Sequence, residues 1–347
     1  MFSYYLGKGM YHNYMRFTFL MAWAFFKYFT WVKVYNYLLL AISFLTSRIL
    51  KKPKILGLPT SLSIEPTTSC NLRCPECPSG LRSFTRPTGM LDPVLFRKTI
   101  DEMAPHLSYL HLYFQGEPYL HPQFLDLISY ADMRKIFTAT STNAHYLSTE
   151  NIKKTVASGL RQLIVSVDGT TQEVYENYRV GGKLEKVIHG IKELISYRNG
   201  QRRSFPQVIL QFLVTGINEH QIPQVLKLAE DLGVDDLQLK TTQIYNYKNG
   251  SHLIPRNLKY ARYVSNGQGW KLKKSIENKC WRMWKGAVVT WDGKVVPCCF
   301  DKDAKHVMGN LQEENFGHIW NKPIYQSFRK QLLVDRSQIN MCLNCTE

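Results

Sequence analysis

The stretch Ser61-Leu-Ser-Ile-Glu-Pro66 runs directly into Thr67-Thr-Ser-Cys70-Asn-Leu-Arg-Cys74-Pro-Glu-Cys77-Pro78. The first six residues read as a strand, and the loop that follows carries thiols in the spacing Cys-x3-Cys-x2-Cys. Three thiolates that close in sequence can wrap one metal centre. A loop at the carboxyl end of a strand is also where parallel α/β proteins place their chemistry. Structural zinc normally takes four ligands. Three cysteines on a four-iron cluster instead leave one iron open to a substrate or cofactor.

Outward from this loop, short β-branched or aromatic runs alternate with amphipathic stretches. Strands are expected at Leu62–Glu65, Tyr109–Phe114, Ile136–Ser141, Leu163–Asp168, Val208–Val214 and Leu237–Thr241. Helices are expected at Pro93–Met103, Pro122–Ala131, Thr149–Ala157, Leu184–Tyr197 and His220–Leu232. Asp92-Pro93 supplies a helix start, Ser148 a cap, and Gly233 a stop. Six strands separated by helices predict parallel pairing with right-handed crossovers. Six are too few for a closed eight-stranded barrel, so a curved partial barrel or an open doubly wound sheet is expected.

The spacing of Cys70, Cys74 and Cys77 is the hallmark of the radical S-adenosylmethionine (SAM) superfamily, which residues 58–265 resemble. The resemblance implies a partial (β/α)6 TIM-like barrel and a [4Fe–4S] cluster on those three cysteines. It also implies SAM on the fourth iron, cleaved to a 5′-deoxyadenosyl radical that abstracts hydrogen. Gln115-Gly116-Glu117-Pro118 looks like the family's Gly-Gly-Glu motif, which assigns Gly116 and Glu117 to the methionine amino group. Ser141-Thr-Asn143-Ala144 is similar to the nucleoside element and assigns Asn143. In similar proteins the Ser that ends the fourth strand and a following Arg face the ribose and carboxylate; here these are Ser166 and Arg179. Glu76 stands where the family often has an aromatic residue.

After about residue 266 the alternation stops. Cys280 precedes an expected hairpin, Ala287–Trp291, a turn at Asp292-Gly293, then Val295-Val-Pro-Cys298-Cys299. Met308-Gly-Asn310, Ile319-Trp320 and Cys342-Leu-Asn-Cys345 follow. Four thiolates gathered by a hairpin and a Cys-x2-Cys knuckle suit zinc or iron–sulfur equally. Residues 266–347 resemble the SPASM-type auxiliary-cluster domain, a small cysteine-rich α+β unit. That implies one auxiliary [4Fe–4S] cluster on Cys280, Cys298, Cys342 and Cys345, suited to electron transfer, and leaves Cys299 as buried filler or an alternate ligand.

Residues 1–57 differ from the rest. The net charge is +17, and no Asp or Glu occurs before Glu65, whereas Lys8, Arg16, Lys27, Lys33, Arg48, Lys51, Lys52 and Lys54 do. Sixteen of the 44 aromatic residues also fall in this stretch. A basic surplus interleaved with apolar rings, Trp23 and Trp31 among them, suits a membrane surface better than nucleic acid, and no nucleic-acid partner is expected. The runs Phe17–Phe26 and Val34–Ser47 fall short of the roughly 20 residues needed for a span. This helical extension is therefore expected to lie on the inner face of the cytoplasmic membrane; the plainer alternative packs it on the barrel or on a second subunit.

Together these expectations describe a cytoplasmic, membrane-peripheral enzyme needing a reducing electron donor. Its substrate would be a peptide, a protein or a small molecule. The competing class is a non-enzymatic zinc-binding scaffold at the membrane. Clustered cysteines indicate a reducing compartment. No Walker loop, Rossmann fingerprint or His-Glu-x-x-His occurs, so nucleotide hydrolysis, nicotinamide chemistry and zinc proteolysis are unsupported.

Overall fold

The computed structural model describes residues 21, 22 and 26–346. The expectations placed on Lys8, Arg16, Trp23 and most of the run Phe17–Phe26 lie outside the described residues. Eleven strands are described: β1 (Ser61–Ile64), β2 (Tyr109–His111), β3 (Phe137–Thr142), β4 (Gln162–Ser166), β5 (Gln207–Val214), β6 (Asp236–Thr241), β7 (Tyr263–Ser265), β8 (Trp270–Leu272), β9 (Gly286–Val289), β10 (Lys294–Val296) and β11 (Gly309–Asn310). The chain forms two compact, discontinuous units. One holds Cys70–Arg82 and Ala139–Lys274 with the described residues before Lys27; the other holds Lys27–Ser69, Ser83–Thr138 and Ser275–Glu347.

In the first unit β3, β4, β5 and β6 pair in chain order and in parallel, with registers Ala139↔Gln162, Gln162↔Gln207 and Ile209↔Asp236. Helices Thr149–Ala157, Leu184–Gly200 and Ile222–Leu232 make the crossovers. Their ends follow the sequence signals. Ser148 accepts from the Asn151 amide, and Gly233 takes φ +67° as a helix stop. The helix Gln172–Tyr178, which buries Tyr175 and Tyr178, was not expected. At seven residues it is too short to show a period.

In the second unit β1 lies between β2 and β9 and is parallel to both, Ser61 standing opposite Tyr109 and Gly286. β10 and β11 continue antiparallel beyond β9. The predicted hairpin forms: the Thr290 amide donates to the Lys294 carbonyl at 2.9 Å around Gly293, whose φ is +83°. The parallel pairing of β9 with β1 was not legible, because β9 is short and apolar on both faces. Helix Pro93–Met103 starts where Asp92 accepts from the Val94 amide at 2.8 Å, and it buries Leu95, Phe96, Ile100 and Met103. β2 is shorter than predicted. The chain leaves the sheet to reach the Gly116 turn, where the Glu117 amide donates to the Ser69 carbonyl at 2.7 Å.

Among the described residues neither β6 nor β11 has a further strand partner at its outer edge. The strands therefore form an open α/β arrangement, as six parallel strands predict.

Candidate functional site

In the first unit the chain enters the Cys70–Cys77 loop and closes it with the short helix Pro78–Leu81. That helix sits hard against the loop. A Cβ on Gly80 would stand 2.5 Å from the Cys74 amide nitrogen, so only glycine fits. Cys74 is buried, and Cys70 and Cys77 pack beside it on one apolar cluster that includes Leu72, Tyr178, Ile244 and Tyr263. The three thiols thus share one apolar surround. Glu76, in the aromatic position, accepts from the Tyr245 amide at 2.9 Å and ties the loop to the segment after β6.

Polar groups reach the sulfurs from the strand ends. The Leu72 amide donates to Cys70 Sγ at 3.5 Å. Asn143, just past β3, turns its Nδ2 to Asn71 Oδ1 at 2.8 Å and toward Cys70 Sγ at 3.9 Å. Arg179 Nη1 lies 3.7 Å from Cys74 Sγ, and its Nε donates to Asp168 Oδ2 at 2.5 Å. Asp168 is fully buried and fixed in turn by the Leu213 amide at 2.7 Å. Burial pushes the Cys74 thiol up; Arg179 counters this, and neighbouring Cys77 adds to it. Burial works against the Arg179 charge, but Asp168 and Cys74 outweigh it and raise its pKa. Sequence reasoning placed Asp168 at the end of the fourth strand and gave it no role in the site. Ser166 is buried at the end of β4 opposite Gln211, where β4 alone places it.

In the second unit Gly116 takes φ +74° beneath the Thr67 carbonyl, 2.2 Å from where a Cβ would stand. Glu117 is buried and accepts from the Tyr119 amide at 3.2 Å. Upstream, Glu65 closes β1 with a bidentate pair to Arg86 at 2.6 and 2.9 Å, both side chains being almost wholly buried.

Also in the second unit, Cys280, Cys298, Cys342 and Cys345 line one small pocket, all four buried. Arg336 lines it too and is buried. Its guanidinium donates to the Lys279 carbonyl and to Cys345 Sγ, each at 3.0 Å. Cys299 departs from expectation: it is half-buried rather than core filler, outside that lining, and accepts from Arg282 at 3.0 Å.

These donor sets fit iron–sulfur ligation. Among the described residues no three His, Cys, Asp or Glu side chains are close enough to share a single ion. A cubane cluster, whose irons are separate, takes thiolates spaced more widely than one ion's shell. Arg336 also sets a positive charge among the four sulfurs, which favours the thiolate form that ligation requires. Hydrogen bonds onto the sulfurs are a lever by which proteins tune such clusters.

The Radical SAM superfamily model matches residues 64–229, and the SPASM model, an iron–sulfur cluster-binding domain, matches residues 280–346. The tungsten-containing aldehyde ferredoxin oxidoreductase cofactor-modifying protein of Pyrococcus furiosus is 29% identical over 300 residues, 77% of this chain and 82% of that protein. The PqqA peptide cyclase of Gluconobacter oxydans is 25% identical over 292 residues, 78% and 79% of the two chains. SAM-bound SuiB of Streptococcus suis shares the fold at a TM-score of 0.61 and 15% identity, over 79% of this chain and 68% of that one. The open arrangement of strands is thus the partial TIM-like barrel of these proteins. The domains imply a [4Fe–4S] cluster, SAM and auxiliary iron–sulfur ligation. The chain belongs to the radical SAM superfamily and is an enzyme of its SPASM-bearing branch.

Proposed function

We propose that this enzyme abstracts hydrogen from a peptide or protein and completes an oxidative modification of it at the inner face of the cytoplasmic membrane. The observation that carries the reading is the convergence of Cys70, Cys74 and Cys77 on one apolar surround, with Arg179 and Asn143 aimed at their sulfurs. Those three cysteines hold the SAM-binding cluster. Asn143, Ser166 and Arg179 contact SAM, while Gly116 and Glu117 keep the methionine amino group on the strength of their motif. When bound, the cluster supplies the electron that cleaves SAM to methionine and a 5′-deoxyadenosyl radical.

The chain's own residues set the conditions for that step. Asp168 fixes the Arg179 guanidinium, which holds a positive charge beside Cys74. The packing of Leu72, Tyr178 and Tyr263 keeps water from Cys74. Cys280, Cys298, Cys342 and Cys345 hold one auxiliary cluster, whose full ligation leaves it an electron carrier rather than a substrate site. The division into residues 1–57, 58–265 and 266–347 follows from these roles. Support for a peptide substrate comes from the peptide cyclase among the relatives. An external reductant is required.

The test is anaerobic purification, iron and sulfide analysis, then dithionite and SAM with measurement of 5′-deoxyadenosine. Iron, sulfide and nucleoside are expected, the nucleoside vanishing in Cys74→Ala and persisting in Cys342→Ala. Zinc without iron or sulfide would establish the scaffold reading instead.

A further inference from the structure

The helix Trp31–Leu50 is built inside out. Its buried side chains are Lys33, Asn36, Leu40, Ser43 and Ser47, four of the five polar. The opposite side presents Trp31, Tyr35, Leu38, Ile42, Leu45 and Ile49 to solvent, with Trp31 84% and Ile49 79% exposed. Steps of four and three residues keep these six in one stripe along the helix.

Hydrogen bonds lock the rotation. Asn36 brackets Leu58, donating to its carbonyl at 2.8 Å and accepting from its amide at 2.9 Å. Ser43 accepts from the Leu56 amide at 2.9 Å, and Ser47 from the Lys54 amide at 2.8 Å. Residues 54–58 thereby run back along the helix, zipped to its polar side. Lys33 donates to the Lys135 carbonyl at 2.6 Å. Phe44 packs on Trp281 and Trp284 and holds one flank. Turning the stripe inward would break every one of these bonds and set apolar side chains against the backbone groups of Lys54, Leu56 and Leu58.

The stripe's surroundings indicate what covers it. Lys27 precedes the helix, and Arg48, Lys51, Lys52 and Lys54 cluster at its far end, all exposed. No acidic residue occurs in the first 64 positions to offset them. A second copy of the helix would set like charges against each other in either orientation. An anionic lipid headgroup layer complements them, and Trp31 and Tyr35 are residue types that gain at that depth. Beside the stripe, Val32, Tyr35, Leu39 and Ile55 line a groove of mixed polarity together with Asn36, His106 and Asn321. At 20 residues the helix could reach across a bilayer, yet no helix among the described residues is long and apolar enough to cross one. An amphipathic helix of this kind suits the interface plane of a bilayer.

We infer that the Trp31–Leu50 stripe seats this enzyme in the interface of an anionic bilayer, with the cluster at Arg48–Lys54 on the headgroups. The inference rests on the membrane-peripheral reading above and names the surface and lipid class that realise it.

The experiment is flotation of the full chain with phosphatidylcholine vesicles, with and without phosphatidylglycerol. Binding is expected with the anionic vesicles and should weaken as salt rises. It should fall about tenfold in Leu38→Glu/Ile42→Glu, and similarly in Leu38→Ser/Ile42→Ser if the charge change is to be avoided. Circular dichroism and 5′-deoxyadenosine formation should match the parent, since both positions are exposed and remote in sequence from the cysteines. Full binding by both double variants would overturn the assignment of the stripe while leaving membrane association to other residues. Absence of binding to any vesicle would overturn both. A dimer that the double variants dissociate, without vesicle binding, would assign the stripe to a second copy and overturn the proposal.

Discussion

Arg179 holds its Nη1 3.7 Å from the Cys74 sulfur because its Nε is committed to Asp168. The pair Arg179–Asp168 is nearly closed to solvent, and the carboxylate is anchored by the Leu213 amide. A positive charge placed so near a cluster ligand stabilises the reduced state.

Arg179→Met is therefore expected to move the reduction potential of the SAM-binding cluster in the negative direction. Asp168→Asn should move it in the opposite, positive direction, since it removes a buried negative charge that acts on the same thiol. Redox titration followed by electron paramagnetic resonance measures this. An unchanged potential in Arg179→Met would remove the electrostatic role.

Glu65 and Arg86 form the most enclosed ion pair among the described residues, and the Trp291 amide also donates to Glu65 at 3.2 Å. Breaking a buried pair from one side leaves an unpaired charge. Glu65→Gln should cost about 3–5 kcal/mol of stability. Replacing both residues by leucine should cost much less. Thermal unfolding of the two variants checks the difference, and equal losses would contradict it.

Gly116→Ala should destabilise the chain by at least about 2 kcal/mol, combining a left-handed backbone with the approach of the Thr67 carbonyl. Gly181 takes φ +82° with no atom near the place of a Cβ. Alanine there carries backbone strain alone and should cost about 1 kcal/mol. Urea denaturation of both variants separates the two contributions.

His111 on β2 is held at a pKa of about 4, by burial first and then by Arg282 and Lys285. The unfolded imidazole titrates near 6.5, so the unfolded chain binds the extra proton as pH falls through that value. Stability should thus drop progressively between about pH 6.5 and 4, by about 3 kcal/mol from this residue. Below about pH 4 no further loss arises from it. His111→Asn should flatten that limb of the profile, and an unaltered slope would place the sensitivity elsewhere.

The strand-then-thiol reading of Ser61–Cys77 already carried the barrel, because a cysteine triplet with that spacing and placement has few other uses. The auxiliary cysteines were singled out only through the resemblance, because Cys280, Cys298 and Cys342 stand far apart in the chain. Helix starts at Asp92 and Ser148, the stop at Gly233 and the Asp292-Gly293 turn were readable too, each depending on only a few neighbouring residues.

What the sequence could not supply depended on distant partners. Asp168 looked like the plain end of a strand until β4 and the Gln172–Tyr178 helix brought it to Arg179, eleven residues on. Arg336 had no signal at all, since its role among the auxiliary thiols comes from the pocket around it. Pairing of β9 with β1 joins residues more than 200 positions apart. Composition alone revealed that the amino-terminal segment is apolar and basic. Only the tertiary structure decided which side of its helix faces outward, because Asn36, Ser43 and Ser47 find backbone partners in residues 54–58 and turn the polar side in. Local chemistry fixes which groups can act; the long-range hydrogen bonds fix where they point.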